Sequence, residues 1–185
     1  ATNDPDLAVL LHRGQIVSGA LLPPIDSYRL LQDVKTLALR LERQQQNARE
    51  LIEFLSERPE VEKIFYAGSS SEEQAEVQSR QARGIGSVFS LLLKDGGDAQ
   101  AFARSLPIFV NAVSLGGIES LVSLPAHTTH GAYAQEHRDE FGVDDRLVRL
   151  AIGIEDVQDL IAALEIGLKA AFAGQHVLAV FVELA

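Results

Sequence analysis

The sequence contains no cysteine, no methionine and no tryptophan. Without cysteine the chain cannot form a disulfide framework, a thiolate zinc site or a cysteine nucleophile. Without methionine it lacks even an initiator residue. Because it opens on Ala1, we expect a cut or processed piece of a longer protein.

Basic residues and long hydrophobic runs are also scarce. Lys and Arg number 16 against 26 Asp and Glu, which gives a net charge of −10 and a pI near 4.9. This balance argues against nucleic acid, whose phosphates bind clustered basic residues, and against anionic membrane surfaces. No apolar run approaches the roughly 20 residues of a membrane span, and no signal sequence opens the chain. We therefore expect a soluble, cytoplasmic protein with no membrane and no nucleic-acid partner.

What the chain does contain is the composition of one globular domain. Its 185 residues are 46% hydrophobic and 23% charged. A chain of this length buries roughly 70% of its unfolded surface, so it needs neither a disulfide nor a metal to hold a core.

The sequence pattern of residues 1–57 predicts an N-terminal segment followed by one long helix. Residues 1–24 are interpreted as loop-rich. Tyr28–Glu57 then contains no glycine or proline and repeats apolar residues at helical spacing. The middle of this helix, Glu42–Asn47, is polar, which is typical of a helix that connects domains or leans on a partner. The alternative interpretation is two helices with a solvated joint.

Residues 58–173 mix strands with helices. The predicted order is strand Val61–Ala67, helix Glu76–Arg83, strand Ser87–Lys94, helix Ala99–Leu106, strands Ile108–Leu115 and Ser120–Leu124, a helix within His127–Phe141, strand Leu147–Ile152 and helix Glu155–Phe172. The fold class is therefore α/β, of the α+β type, with a small mixed or antiparallel sheet of four or five strands backed by helices. Residues 174–185 form an apolar tail, in which Val177–Val182 predicts a last strand.

Arg149 is the first candidate functional residue. Alternation along Leu147–Ile152 places Val148 and Leu150 on one face of a strand and Arg149 on the other. A buried arginine without a partner is costly, so Arg149 either faces water or meets an anion. A guanidinium group fits a carboxylate through two parallel hydrogen bonds.

Two glycine turns and a histidine cluster carry weaker signals. Ser114–Gly117 is a strand-end turn whose glycines allow close backbone approach, but it lacks the Lys-Ser/Thr of a phosphate loop. Gly84–Gly86 lacks the third glycine of a dinucleotide fingerprint. His127 and His130 share a helical face, yet the spacing fixes no third ligand, so we predict no metal site.

Several segments occur together in a recognisable order from Ala1 to about Ala173. They are Val34–Arg40, Gln46–Ala48, Gly84–Gly86 before Ser90, Ser114–Gly117 with Glu119–Leu121, Pro125-Ala126 before Thr129-His130, Gly142-Val143, Asp145, Leu147–Leu150 and Gly153–Asp156. Together they resemble the C-terminal part of the Cys/Met-metabolism pyridoxal-phosphate (PLP) enzymes. This family includes cystathionine γ-synthase, cystathionine β- and γ-lyase, methionine γ-lyase and the homoserine sulfhydrylases.

The resemblance implies fold type I of the PLP-dependent enzymes. In that fold a large domain binds the cofactor, and a smaller C-terminal domain, attached through a long helix, closes over the substrate. Residues 58–173 would be the smaller domain and residues 1–57 its connection, while residues 174–185 lie outside the resemblance.

The resemblance also implies four site residues, by residue-for-residue correspondence. Arg149 matches the arginine that binds the substrate α-carboxylate. Ser114 matches the active-site serine beside the cofactor-bearing lysine, and Thr129 matches a threonine that lines the same pocket. Val113 stands where cystathionine-handling members often carry glutamate. Valine there is more like methionine γ-lyase and favours a less polar substrate tail.

The same resemblance implies parts that this chain does not carry. The family holds pyridoxal 5′-phosphate through a Schiff-base lysine in a Ser-x-x-Lys segment, a context that none of the four lysines here shares: Lys35, Lys63, Lys94 and Lys169. We expect that lysine upstream of Ala1, in a missing N-terminal PLP domain. This chain should then contain no catalytic residue, hold no cofactor covalently and be inactive alone.

Two hypotheses about function follow. The first is the C-terminal part of a PLP-dependent lyase or transferase that performs β/γ-elimination or γ-replacement on cystathionine, methionine or a homoserine ester. Its partners would be a small-molecule amino-acid substrate and copies of itself, in a homo-oligomer that is a tetramer in the parent enzyme. The alternative is a non-catalytic, truncated remnant that acts as an interaction or dimerisation domain.

Overall fold

The computed structural model describes the backbone of residues 2–182 and the side chains of residues 2–174. Contacts divide the chain into two units, Ala1–Ala38 and Leu39–Ala185, which are described in turn. In the described part of the chain, no helix is both long enough and apolar enough to cross a membrane.

The N-terminal unit is helical, so the prediction of a loop-rich segment over residues 1–24 is wrong. Helix α1 spans Pro5–Ser18, and α2 begins at Pro24 and ends at Lys35. Helix α1 begins after Asp4, whose carboxylate accepts hydrogen bonds from two backbone N–H groups of the first turn. Proline suits the first helical position, because it has no N–H that would need a partner there. Gly19, at φ +70°, ends α1. Neither helix contains a buried residue.

The single long helix predicted over Tyr28–Glu57 is two helices. Thr36 separates α2 from α3, which spans Leu37–Ser56, and the backbone N–H of Thr36 still donates to the carbonyls of the last turn of α2. The alternative interpretation, two helices, gives the observed number, and the polar stretch Glu42–Asn47 is continuous helix. The break therefore lies N-terminal to the polar stretch and not within it.

The C-terminal unit contains the predicted mixture of strands and helices. After α3 its elements are β1 (Val61–Phe65), α4 (Glu72–Gln81), β2 (Val88–Leu93), α5 (Ala99–Arg104), β3 (Val110–Asn111), β4 (Leu121–Ser123), a short 3₁₀ helix (Pro125–His127), α6 (Gln135–Glu140), β5 (Leu147–Ala151) and α7 (Val157–Val182). The five strands confirm the predicted size of the sheet. The strand predicted at Val177–Val182 is wrong, because α7 continues through those residues. A short apolar run cannot be told from a helix segment by periodicity alone.

The sheet is mixed and places β5 at its centre, in the order β1-β2-β5-β4-β3. All neighbouring strands are antiparallel except β3 and β4, which are parallel. In this register Arg149 on β5 lies opposite Ser90 on β2 and Ser123 on β4. The predicted arginine therefore stands in the middle of the sheet, between two small hydroxyl side chains.

One face of the sheet carries the hydrophobic core. Helices α3, α5 and α7 contribute the side chains that cover it, and the fully buried members include Leu51, Leu55, Phe89, Leu91, Phe102, Val148, Leu150, Leu160 and Leu164. Burial of each such side chain contributes about 1.5–3 kcal/mol. The alternation predicted for β5 is confirmed, since Val148 and Leu150 are fully buried and Arg149 is half-buried.

An ion-pair network holds the start of β5 against its neighbours. The guanidinium of Arg146 lies 3.0 Å from Glu62 on β1, 2.8 Å from Asp144 and 2.6 Å from Asp95. Hydrogen bonds from Arg146 lower the pKa of the Asp144 carboxyl below its usual range. The network joins β1 to β5 across the intervening strand β2.

The polar middle of α3 is packed inside this unit. Asn47 is fully buried, and its Nδ2 donates to the carbonyl oxygens of Gly153 at 3.1 Å and Glu155 at 2.9 Å, just after β5 ends. Gln44 is also buried, and its Nε2 donates to the carbonyl of Gly117. These side chains therefore tie α3 to loops at the end of the sheet where β5 finishes.

Replacing Asn47 should destabilise the fold more than replacing its exposed neighbour. Asn47→Ala removes the donor to two carbonyls, at a cost of about 1–3 kcal/mol. Asn47→Asp should cost more, because a carboxylate would face both carbonyl oxygens. Gln46→Ala is the control, since Gln46 is exposed and bonds only to Glu50, and its effect should stay within about 0.5 kcal/mol. Urea unfolding followed by circular dichroism measures all three, and equal midpoints would contradict the assignment.

Candidate functional site

The candidate site is built around Arg149, on the sheet face opposite the hydrophobic core. Its Nη2 donates to the carbonyl oxygen of Val113 at 2.6 Å and to that of Ser114 at 3.3 Å. Its Nε is buried without a hydrogen-bond partner, and its Nη1 has no partner among the described residues either. One edge of the guanidinium is therefore held by the protein, while its other donors are left for a ligand.

Residues 113–118 form a loop that contacts Arg149 through its first two carbonyl groups. Its apolar side chains Val113, Leu115 and Ile118 are each more than half exposed, and Ser114 is exposed as well. Gly116 adopts φ +84°, a conformation that only glycine takes at low cost, so the turn needs it. The loop thus presents apolar groups and one hydroxyl beside the arginine.

A buried hydrogen-bond network anchors this loop at its C-terminal end. The Glu155 carboxylate accepts from the backbone N–H of Ser120 at 2.6 Å and from its hydroxyl at 2.9 Å. The backbone N–H of Gly153 donates to the Ser120 hydroxyl at 2.9 Å, and that of Ile154 donates to the carbonyl of Ile118 at 2.9 Å. Because the same segment follows β5 directly, the network fixes the loop relative to the strand that carries Arg149.

Gly153 is required by the closeness of this packing. A Cβ atom at residue 153 would lie 2.2 Å from the carbonyl oxygen of Ile118 and 2.4 Å from a carboxylate oxygen of Glu155. Any larger residue would therefore push apart the segments that the network joins.

Thr129, the fourth predicted site residue, makes its hydrogen bond elsewhere. It follows the 3₁₀ helix Pro125–His127, is exposed, and its hydroxyl lies 2.9 Å from Nδ1 of His130. The His130 ring in turn packs near Tyr133 and Phe141, at centroid distances of 5.9 and 6.2 Å. Within residues 2–174, Thr129 makes no hydrogen bond to Arg149, Ser114 or Val113. The hydrogen bonds of Arg149 therefore join it to Val113 and Ser114.

The sequence interpretation assigns no anchoring role to the residues of the anchoring network. Asn47, Ser120 and Glu155 lie within motifs of the resemblance, and Gln44 lies in the polar stretch of the predicted long helix. The signal was nevertheless present, because Gln44, Asn47, Leu51 and Leu55 recur at intervals of three and four residues and lie on one buried side of α3. The apolar stripe thus continues through two amides, which is the pattern of a helix face packed on exposed carbonyl groups.

The lysines of the chain do not fit the attachment of a carbonyl cofactor at this site. All four are exposed; Lys35 donates to Gln32, and Lys63 stacks on Phe65 of the edge strand. Within the described side chains of the C-terminal unit, none of Lys63, Lys94 and Lys169 makes a hydrogen bond to Arg149 or to the 113–118 loop. Over the same residues, no group of three or more His, Asp or Glu side chains is arranged to hold a metal ion.

Comparison with known proteins places this geometry among related chains. The model of the Cys/Met metabolism PLP-dependent enzyme family matches residues 1–169. An L-methionine gamma-lyase of Fusobacterium nucleatum is 38% identical over 83% of this chain and 39% of its own length. A cystathionine gamma-lyase of Bacillus subtilis is 39% identical over 86% of this chain and 42% of its own length.

A solved structure of a related lyase also resembles this chain. The cystathionine gamma-lyase of Lactobacillus plantarum, complexed with L-serine, superposes with a TM-score of 0.85 at 35% identity, over 92% of this chain and 45% of that one. The chain therefore spans about two fifths of the length of the curated relatives named above.

Substitution of Gly153 should loosen the loop that contacts Arg149. Gly153→Ala places its methyl group against Ile118 and Glu155, so we expect faster hydrogen exchange over residues 113–118 and a loss of about 1–3 kcal/mol in unfolding free energy.

Gly14→Ala is the matched control. Nothing lies within 4 Å of its Cβ position on α1, and alanine is the better helix former. Hydrogen-exchange mass spectrometry compares the two variants. Unchanged protection of the loop in Gly153→Ala would contradict the anchoring role of the network.

Proposed function

The chain belongs to the Cys/Met metabolism PLP-dependent enzymes, and from that premise we propose that it is the substrate-binding, C-terminal part of such an enzyme. The reaction would be β- or γ-elimination, or γ-replacement, on a sulfur amino acid or a homoserine ester. The observation that carries the proposal is the half-buried guanidinium of Arg149, which the protein satisfies at only one of its three nitrogens.

Arg149 would bind the α-carboxylate of the amino-acid substrate. The carbonyl oxygens of Val113 and Ser114 hold Nη2 and so fix the plane of the guanidinium before a ligand arrives. A carboxylate then gains charge-assisted hydrogen bonds from a group that needs no further ordering. A substrate held by its carboxylate is oriented at its α-, β- and γ-carbons, which is a positioning contribution.

The loop beside Arg149 would select the substrate tail. Val113 and Leu115 offer exposed apolar surface next to the guanidinium, while Ser114 supplies a hydroxyl. A carboxylate anchor with apolar surroundings suits a tail such as that of methionine better than one with a second charged end. Thr129, which is exposed, would line the same pocket.

The cofactor would be held by a part of the enzyme other than residues 1–185. PLP stabilises carbanionic charge when it is bound, and the protein has to supply the lysine that attaches it. Because the lysines of this chain do not fit that task, we propose that the lysine, the phosphate-binding residues and the proton transfer belong to a preceding domain. The chain alone would bind no cofactor covalently and would be inactive.

The exposed apolar residues of α1 and α2 support a missing partner domain. The large apolar side chains of α1 and α2 are exposed, and those of Leu10, Leu11, Val17 and Leu31 are more than half exposed. Helices with no buried face gain stability only from packing against something else. We propose that the cofactor domain covers them and that the complete enzyme is a homo-oligomer. The same surface favours the second candidate, an interaction or dimerisation domain without catalysis.

The role of Arg149 can be tested in a chimera. The matched segment of the Bacillus subtilis cystathionine gamma-lyase is replaced by this chain, and the product should cleave a sulfur amino acid, whereas the chain alone should not. Arg149→Ala should raise KM by about one to two orders of magnitude, because charge-assisted hydrogen bonds are worth about 1.5–3 kcal/mol. Cofactor absorbance should be unchanged.

Two controls accompany this variant. Arg149→Lys keeps the charge but loses the planar guanidinium. Its KM should therefore lie between those of the unsubstituted chimera and the Arg149→Ala chimera. Arg80→Ala removes an exposed arginine of α4 and should leave KM unchanged. An Arg149→Ala chimera with normal KM would refute the carboxylate-binding role.

The surface of α1 and α2 can be tested by co-purification. The part of the same Bacillus subtilis enzyme outside the matched segment is expressed as a separate chain, and we expect it to co-purify with this protein. Leu10→Glu combined with Leu31→Glu should abolish that association, because two carboxylates would have to be buried where the leucines are now exposed. Gln15→Glu, also exposed on α1, should retain it. Self-association without co-purification would instead support the interaction-domain candidate.

A further inference from the structure

A polar cavity lies on the other side of the sheet from Arg149. It has a volume of about 250 Å³ and lies between α5, the edge strand β3 and the 3₁₀ helix, where its polar lining consists of Gln100, Arg104, Asn111, His127 and Thr128. None of its lining residues carries a carboxylate. In a chain with a net charge of −10, a cavity whose lining includes Arg104 and His127 but no acidic side chain differs in sign from the chain as a whole.

The strand register shows that this cavity is separate from the candidate substrate site. Asn111 pairs with Val122 in the parallel β3–β4 ladder, and Val122 pairs with Leu150 on β5. Paired residues point to the same face of a sheet, and both Val122 and Leu150 are fully buried in the core beneath the helices. Asn111 therefore shares the helix face, whereas Arg149 projects from the opposite one.

One amide joins the two basic side chains of the cavity. Gln100 accepts a hydrogen bond from Nη2 of Arg104 at 3.1 Å, and its Nε2 lies 3.3 Å from Nε2 of His127. An amide nitrogen only donates, so the imidazole Nε2 accepts and the ring proton lies on Nδ1. Gln100 thereby holds Arg104 and His127 on the two sides of one small cavity.

Arg104, Asn111 and His127 are exposed, and the remaining donors of this cluster have no protein acceptor. Within the described side chains, Nε and Nη1 of Arg104, Nδ1 of His127 and the amide of Asn111 make no hydrogen bond. These donors belong to three separate elements around one cavity, and none of the lining side chains offers them a negative charge. A ligand that accepts several hydrogen bonds from different directions and carries negative charge fits this arrangement.

We propose that the cavity between α5, β3 and the 3₁₀ helix binds a small oxyanion of the phosphate class through Arg104, Asn111 and His127. Phosphate offers acceptor oxygens in a tetrahedral arrangement, which suits donors converging from three elements better than a planar carboxylate does. The two flanking segments continue directly into Val113-Ser114 and into Thr129, so the ligand would lie beside both segments that carry candidate site residues.

The test is a titration of the full chain with inorganic phosphate at constant ionic strength, followed by NMR of the Arg104 Nε–H and Asn111 side-chain signals. We expect saturable shifts at both residues. Arg104→Ala should weaken phosphate binding by about tenfold or more, because a charged donor is lost. The phosphate affinity of Arg104→Lys should lie between that of Arg104→Ala and that of the unchanged chain. Arg80→Ala, at an exposed arginine on α4, should bind phosphate as the unchanged chain does.

Each other outcome would overturn the proposal. Shifts that chloride reproduces at the same concentration would be an ionic-strength effect and not a site. Saturation by acetate but not by phosphate would overturn the phosphate class. Equal phosphate affinity in Arg104→Ala and the unchanged chain would remove Arg104 from binding. Circular dichroism confirms that the exposed substitutions leave the fold intact.

Discussion

The structure of the C-terminal unit depends on one buried amide, that of Asn47. Its nitrogen donates to two carbonyl groups directly after the central strand β5, and so connects α3 to the end of that strand. Backbone groups that leave a sheet lose their ladder partners, and burying them without new partners is costly. Asn47 supplies those partners from a helix. The segment it holds then presents Glu155 to Ser120, which anchors the loop in contact with Arg149.

The two faces of the sheet consequently have different tasks. The face covered by α3, α5 and α7 supplies the stability, since it holds the buried leucines, phenylalanines and valines. The opposite face carries Arg149 between two serines, where a charged group is not sealed beneath helices. Neighbouring strands on both sides fix the backbone of Arg149, and the carbonyl groups of Val113 and Ser114 hold its guanidinium. That rigidity is what a binding group needs in order to orient a ligand.

Under the proposed function, the residues that form the folded core are fewer than those that the reaction needs. The core, the sheet and the anchoring network lie within Leu39–Ala185, so this unit needs no other chain for its hydrophobic interior. The substrate-binding arginine is present, yet the attachment of the cofactor is not provided by any lysine near it. The apolar surfaces of α1 and α2 are consistent with the same division, since they have no interior of their own.

Local pattern was enough to predict a sheet of four or five strands within residues 58–173, the alternation along β5 and the face of Arg149, because these depend on residues close in sequence. It failed at residues 1–24, at Thr36 and at Val177–Val182, where capping, a local break and the choice between strand and helix for an apolar run are finely balanced. Only the tertiary structure revealed the polar stretch of α3 as an anchor. The carbonyls that its amides satisfy, in Gly117, Gly153 and Glu155, are 73 to 108 residues away along the chain. A hydrogen bond between groups so distant is specified by packing, which no short window of sequence contains.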